Sequence, residues 1–180
     1  MFVYTPLRDN LFALVTSTLD QMSLTITDAR IMPSRDGYTL DTYIVLEEDG
    51  APVSDAYRIQ ELENTLLEVL AYPDAPPAPV QRRLPRQLKH FAIPTEVRFQ
   101  SDPNNDRTVM EVVASDRPGL LSQIGKALME SNVRLQNAKI ATLGARVEDI
   151  FFVTDADNRP LADEAQMERL RARITELLAA

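Results

Sequence analysis

The chain has 180 residues, 44% of them hydrophobic and 26% charged, so it has enough apolar material for a core and is predicted to fold. Its formal net charge of −8 argues against a nucleic-acid-binding surface. There is no cysteine and one histidine, His90, which excludes disulfides, thiolate sites, multi-histidine metal sites and a Ser-His-Asp triad, apart from what His90 alone could do. No apolar run approaches the ~20 residues of a membrane span and no signal peptide is apparent, so we expect a cytoplasmic protein without a membrane partner.

The chain begins with five predicted elements in the order strand, helix, strand, strand, helix. Apolar runs, alternating segments and helical spacing of apolar residues indicate them. They cover residues 2–5, 11–19, 24–32, 39–46 and 59–69. A turn at Asp36-Gly37 joins the two alternating segments, and Ser54-Asp55 stands where the second helix needs a cap. The first 70 residues therefore predict one small α+β unit.

A proline-rich segment follows at residues 71–94. It holds half of the chain's 12 prolines, and four basic residues against one acid. Clustered prolines block helix and ladder hydrogen bonds, so we predict an extended linker, with a docking segment for another partner as the alternative. The predicted domains are therefore residues 1–70 and residues 95–180, with the linker between them.

The second domain repeats the first. At an offset near 109, residues 11–26 match residues 120–135 in the spacing of their apolar side chains, and residues 28–31 match residues 137–140. Residues 40–45 align with residues 147–152 after a slip of up to two residues in the hairpin, where insertions are tolerated. The repeat predicts the same five elements over residues 108–114, 121–128, 133–141, 147–153 and 167–177.

One further strand in each unit would complete a ferredoxin-like βαββαβ fold. In the second unit, residues 95–101 alternate and reach the strand at 108–114 through a turn-rich loop. We therefore predict a hairpin in which residues 95–101 occupy the place of the sixth strand, although they come first in the chain. The first unit lacks such a segment, so its first strand should leave an exposed sheet edge, or residues 88–93 should cover that edge instead. We therefore predict an α+β fold of two tandem ferredoxin-like units, the second permuted, and interpret the chain as a piece of a longer one.

A motif at a strand-to-helix turn of the second unit indicates a family. Asp116-Arg117-Pro118-Gly119-Leu120-Leu121, in its βαββα frame, resembles the ACT domain, a small ferredoxin-like module that binds amino acids and controls enzymes. A longer ordered series resembles the C-terminal tandem ACT region of the bacterial PII uridylyltransferase/uridylyl-removing enzyme family. The segments of that series are residues 28–31, 35–37, 40–46, 88–91 and 146–151.

This resemblance implies a regulatory role for the chain. In that family, upstream catalytic domains uridylylate the PII signal protein with UTP and magnesium and remove the group again, while the tandem ACT region senses glutamine. The implied partners are thus glutamine or a related small amino acid, the catalytic domains of the same polypeptide, and PII. No cofactor is implied for this chain itself. The ACT units could pair within one chain or between chains as a dimer, and the sequence leaves both open.

The second unit offers groups for the two charged ends of an amino acid. A helix N-terminus presents unpaired N–H groups, Pro118 fits its first turn, and Gly119 allows close approach. We therefore expect the N–H groups of Gly119, Leu120 and Leu121 to bind the ligand's carboxylate. The alternative is that the motif merely caps a helix.

Two polar side chains complete this predicted site. Asp116 is expected to accept from the ammonium of the ligand. Asn137, near the middle of the adjacent second strand, is expected to bond the ammonium or the side-chain amide.

The first unit departs from this pattern. Arg8-Asp9-Asn10 stands in place of Arg117-Pro118-Gly119, so the Asn10 side chain fills the space that glycine leaves open. Asp9 puts an acid beside the helix terminus, where it can serve as the cap. Asp28, the counterpart of Asn137, suits an ammonium. The first unit is either a weaker site or a half-site completed by the other unit, and we expect the second unit to bind better.

Other functions remain alternatives at this point. The chain could be a free-standing tandem ACT amino-acid-binding protein, or the regulatory tail of another amino-acid enzyme. An RNA-binding protein of ferredoxin-like fold is disfavoured by the negative charge and by the lack of paired aromatic residues on the first and third strands. An independent enzyme is disfavoured because nucleophile, metal cluster and phosphate loop are all missing.

Overall fold

The computed structural model describes residues 1–72 and 93–179. The first half contains β1 (Phe2–Pro6), α1 (Leu11–Gln21), β2 (Leu24–Arg30), β3 (Tyr38–Glu47) and α2 (Ala56–Leu70). The second half contains β4 (Glu96–Asp102), β5 (Arg107–Ser115), α3 (Leu120–Glu130), β6 (Arg134–Lys139), β7 (Thr142–Leu143), β8 (Arg146–Thr154) and α4 (Glu164–Ala179). The predicted element order is therefore confirmed in both halves. Most of the predicted linker, with His90, lies outside the described residues and stays a prediction.

All the strands belong to one antiparallel sheet. Its order is β1-β3-β2-β6-β8-β5-β4, with the short β7 paired to β8. The halves join where β2 pairs with β6, in the register Asp28↔Lys139, Ala29↔Ala138 and Arg30↔Asn137. The two units thus lie side by side within one chain.

The extra strand of the second unit lies where the sequence predicts it. β4 pairs antiparallel with β5 from Glu96↔Val113 to Asp102↔Arg107. This pairing confirms the predicted hairpin, in which the strand that completes the unit precedes it in the chain. At the other end of the sheet, β1 pairs with β3, and no other strand in the described part of the chain borders it. Phe2 and Tyr4 on β1 are 74% and 67% exposed, so among residues 1–72 and 93–179 this edge is open, as predicted.

The two halves repeat in backbone detail. Ser23 and Asn132, 109 positions apart, both have a left-handed φ, of 59° and 54°. The register shifts in β2 between Ile26 and Asp28, and in β6 between Leu135 and Asn137. These shared irregularities support the offset of 109 through the first two strands of each unit.

The sequence alignment of the next strands is wrong by one residue. Val3 pairs with Asp41, and Val112, the counterpart of Val3, pairs with Asp149. Asp41 therefore corresponds to Asp149, at an offset of 108. The physical reason is the hairpin before each strand, which at residues 31–37 is one residue longer than at residues 140–145.

One hydrophobic cluster underlies the whole sheet and receives side chains from all four helices. The strands contribute alternate residues, as in β5, where every second side chain is buried. α1 crosses α3 at Gly125, where an added Cβ would lie 2.9 Å from Phe12 Cδ1 and 3.1 Å from the Ala13 Cα. The missing side chain at Gly125 thus allows the helices of the two halves to approach closely.

Candidate functional site

A cavity of about 200 Å³ lies between the two halves. One wall is the loop from β1 to α1, with Leu7, Arg8 and Asp9, and the opposite wall is the end of α3 and the start of β6, with Met129 and residues 132–136. The N–H of Ile31 donates to the carbonyl of Gln136 at 3.0 Å, which ties the halves together beside the cavity. Because its walls come from both halves, the cavity depends on their pairing.

A buried carboxyl group, that of Asp41, lines the cavity. Asp41 is 1% exposed and lies on the core-facing side of β3. Its Oδ1 accepts from the Thr39 hydroxyl, and its Oδ2 lies 3.5 Å from the Tyr43 hydroxyl. Burial raises the pKa of Asp41 above the usual range, while these hydrogen bonds oppose that change.

Charged side chains of both signs line the same cavity. Asp9 and Asp41 supply carboxyl groups, and Arg8 supplies a guanidinium group. Arg134 also lines the cavity, but its side chain alternates with the core-facing Leu135 and lies on the opposite face of the sheet, where Nη1 donates to Asn158 Oδ1 at 3.4 Å. Arg8 donates to the carbonyl of Leu70 at 3.0 Å, which links the loop to the end of α2. A small zwitterion would find opposite charges for both of its ends here.

The matching loop of the second half contacts a carboxylate of the first half. Gly119 precedes α3 with a left-handed φ of 79°, and its N–H donates to Oδ2 of Asp20 in the last turn of α1. The Leu120 N–H points back to the carbonyl of Arg117 at 3.3 Å. Two of the N–H groups predicted to hold a ligand's carboxylate therefore have partners within the chain.

Beneath this loop lies a second buried acid, Asp149, the counterpart of Asp41. It is 1% exposed, and its Oδ1 accepts from the Ala141 N–H at 3.1 Å. Its Oδ2 has no hydrogen-bond partner among residues 1–72 and 93–179. Burial raises the pKa of Asp149 to about 7, and the charge of Asp116 adds to the increase.

Asn137 and Asp28 lie on the face of the sheet opposite the helices. Asn137 pairs with Phe152, and the next pair, Ala138 with Phe151, points into the core. Because side chains alternate across a strand, Asn137 must point away from the helices, and the same parity applies to Asp28 beside Ala29. The structure therefore does not bring these two residues to the Gly119 loop or to the Asn10 loop.

The remaining predicted residues lie on the helix side. Asp9 lines the cavity, and Asn10 precedes α1 with an ordinary φ of −89°, without a side-chain capping hydrogen bond. Pro118 and Leu121 are half-buried, and Leu121 packs against the core. The cavity thus lies at the first loop, whereas the sequence favoured the second as the better binder.

The sequence reasoning missed Asp41 and Asp20. For Asp41 the sequence did contain a signal. Asp41 alternates with Thr39 and Tyr43 along β3 and therefore occupies a core-facing position, where an acid is rarely found. For Asp20 no local signal exists, since its partner Gly119 is 99 residues away.

Neither a metal centre nor a membrane span is found in the described ranges. No group of three or more His, Asp or Glu residues there is placed to hold a metal ion. None of the helices in that part of the chain is both long and apolar enough to cross a bilayer.

Comparison with known proteins agrees with this architecture. Residues 108–171 match the ACT domain family, and the fold is the α+β ferredoxin-like ACT fold that the sequence predicts. The chain is similar over nearly its whole length to the C-terminal part of bifunctional uridylyltransferase/uridylyl-removing enzymes. It is 48% identical over 179 residues to the enzyme of Stutzerimonas stutzeri and 49% identical over 180 residues to that of Azotobacter vinelandii, covering 99% of this chain and 20% of each relative.

The chain thus spans about a fifth of the length of these relatives. Among solved structures, aspartate kinase from Synechocystis matches 93% of this chain and 23% of its own, at 16% identity and a TM-score of 0.45.

Proposed function

We propose that this chain is a regulatory module that binds glutamine and controls the uridylyltransferase and uridylyl-removing activities of a cytoplasmic enzyme that modifies the PII protein. The observation that supports this most strongly is the cavity between the halves, with charges of both signs, in a chain 48% identical to the C-terminal part of such an enzyme. UTP and magnesium would belong to the catalytic part of that enzyme, which acts on PII.

The cavity suits a free amino acid in size and in charge. About 200 Å³ is below the roughly 300–1,000 Å³ typical of drug-sized ligands. In our proposal, the ammonium group binds beside Asp41 and Asp9, and the carboxylate binds at the start of α1, beside the guanidinium of Arg8. Charge-assisted hydrogen bonds of this kind are about twice as strong as neutral ones and fix the ligand's orientation.

The position of the cavity gives a physical route to regulation. A ligand that contacts both halves stabilises the arrangement in which both walls are in place. It shifts the equilibrium of an attached catalytic region only if it binds one arrangement of the two halves more tightly than the other. The expected coupling is on the order of 1–3 kcal/mol, as is typical of allosteric proteins.

Isothermal titration calorimetry with L-glutamine tests the proposal on the 180-residue chain. We expect binding that Asp41→Asn weakens at least about tenfold, because the amide lacks the negative charge opposite the ammonium and a hydrogen bond to a charged group is worth about 1.5–3 kcal/mol. Arg8→Ala should weaken it similarly, because it removes the guanidinium group beside the ligand's carboxylate. Arg98→Ala, on the exposed side of β4, is the matched control and should leave the affinity unchanged.

Asn137→Ala distinguishes this site from the one that sequence reasoning favours. If glutamine binds in the cavity, removing the Asn137 amide on the opposite face should not change the affinity. A large loss with Asn137→Ala, together with unchanged binding in Asp41→Asn and Arg8→Ala, would contradict the cavity as the site. Absence of binding at millimolar glutamine would contradict the proposed ligand.

A further inference from the structure

The halves meet at two interfaces: the first, at the loop before α1, holds the cavity, and the second lies at the loop before α3. The second interface contains a carboxylate at the position where the first is open. Asp20, in the last turn of α1, accepts the hydrogen bond of the Gly119 N–H at the start of α3. A helix N-terminus attracts anions through its unpaired N–H groups and its partial positive charge. Asp20 therefore supplies from within the chain the negative charge that this helix start favours.

The first interface has no carboxylate at the position that matches Asp20. By the offset of 109, the counterpart of Asp20 is Met129, which lines the cavity and is 38% exposed. A thioether is at most a weak acceptor and carries no charge. The two interfaces therefore share a backbone plan but differ in this side chain, and the open cavity lies at the one without the carboxylate.

Groups suited to an ammonium are also present at the second interface. Asp149, the counterpart of the cavity residue Asp41, is 1% exposed, and its Oδ2 has no hydrogen-bond partner in the described ranges. Asp116 belongs to the loop that leads to Gly119, and it is close enough for its charge to act on Asp149. An anion-binding N–H and a buried acid with an unused oxygen match the two ends of an amino acid.

We propose that Asp20 fills, with its own side chain, the carboxylate position of a second amino-acid site between the halves. The inference rests on the proposed function, because it takes the first interface as the pattern of an amino-acid site. In this account Asp20 sets the binding stoichiometry of the chain. A ligand can bind at the first interface, whereas the Asp20 carboxylate occupies the second.

Calorimetry with L-glutamine on wild type, Asp20→Ala and Asp20→Asn tests this directly. Asp20→Ala removes the acceptor, and we expect one more glutamine per chain than in wild type. Asp20→Asn retains an acceptor oxygen for the Gly119 N–H, so its stoichiometry should equal that of wild type. Asp20→Ser replaces Asp20→Ala if circular dichroism shows that the alanine variant does not fold.

The Gly119 amide resonance locates the added site. Its ¹H shift should move upfield in Asp20→Ala, because the carboxylate is lost, and should move back downfield as glutamine is added. Adding Asp149→Asn to Asp20→Ala should abolish the extra site. If Asp20→Ala gains no glutamine relative to wild type, the proposal is wrong.

The outcome separates this proposal from the function itself. Binding to wild type with no gain in Asp20→Ala would keep the cavity as a site and overturn the role of Asp20. A gain in Asp20→Ala without binding to wild type would support the role of Asp20 and overturn the cavity assignment.

Discussion

At the scale of single residues, the two halves each bury one acid at the same place. Asp41 has the Thr39 and Tyr43 hydroxyls as partners, whereas Asp149 has one backbone N–H and an unused oxygen. A buried carboxylate with fewer donors is harder to ionise. This explains why the structure raises the pKa of Asp149 to about 7.

Asp149→Asn should therefore change the pH dependence of stability. The folded-state pKa of about 7 lies above the ordinary value of 3.8, so ionisation destabilises the fold fully above pH 7. That cost, at most about 4 kcal/mol, disappears as the pH falls from 7 towards 4. Asparagine avoids the charge but buries an unpaired amide, so we expect the variant to be about 1–3 kcal/mol more stable than wild type at pH 8.

Urea unfolding at pH 5 and pH 8 measures this effect. The advantage of Asp149→Asn over wild type should fall towards zero or reverse at pH 5. Asp36→Asn, in an exposed turn, is the control and should show no such pH-dependent difference. An advantage of equal size at both pH values would contradict the account of Asp149.

At the scale of elements, the halves pack against each other where α1 crosses α3, and they share the sheet where β2 pairs with β6. The helix crossing depends on the absence of a side chain at Gly125, since even a Cβ would meet Phe12 and the backbone of Ala13. The strand pairing covers three residue pairs. The cavity lies beside both contacts, so its shape depends on their geometry.

Gly125→Ala should destabilise the chain. In an ordinary helix interior, alanine is more favourable than glycine by about 0.5–1 kcal/mol. Here the added methyl overpacks the crossing, and we expect a net loss of about 1–3 kcal/mol in the free energy of unfolding. Urea denaturation measures it, with the neighbouring exposed Lys126→Ala as control. An increase in stability would show that the helices separate at little cost.

The strand junction allows a charge-reversal test. Asp28 and Lys139 are cross-strand partners on the face away from the helices. Asp28→Lys places like charges opposite each other and should cost about 0.2–1 kcal/mol, which Asp28→Lys combined with Lys139→Asp should restore. A double-mutant cycle by thermal denaturation at low salt measures the coupling, and a coupling of zero would exclude this pair as a contributor to the junction.

At the scale of the whole molecule, the fold could be predicted well from the sequence and the site only in part. The repeat, the element order and the β4–β5 hairpin follow from local patterns of alternation, spacing and turn residues. The faces of the sheet on which Asn137 and Asp41 lie depend on the exact strand register. A bulge or one extra hairpin residue changes that register. The contact of Asp20 with Gly119 required the side-by-side packing of two units, which no local pattern encodes.

The central claim is that an amino acid binds between the halves and contacts both. Amide chemical-shift mapping of the ¹⁵N-labelled chain with L-glutamine tests it most directly. We predict that the largest shifts fall on both walls of the cavity, at Arg8 and Asp9 in one half and at residues 132–136 in the other. Shifts confined to one half, or centred on Asn137 and Asp28 on the opposite face, would contradict the account.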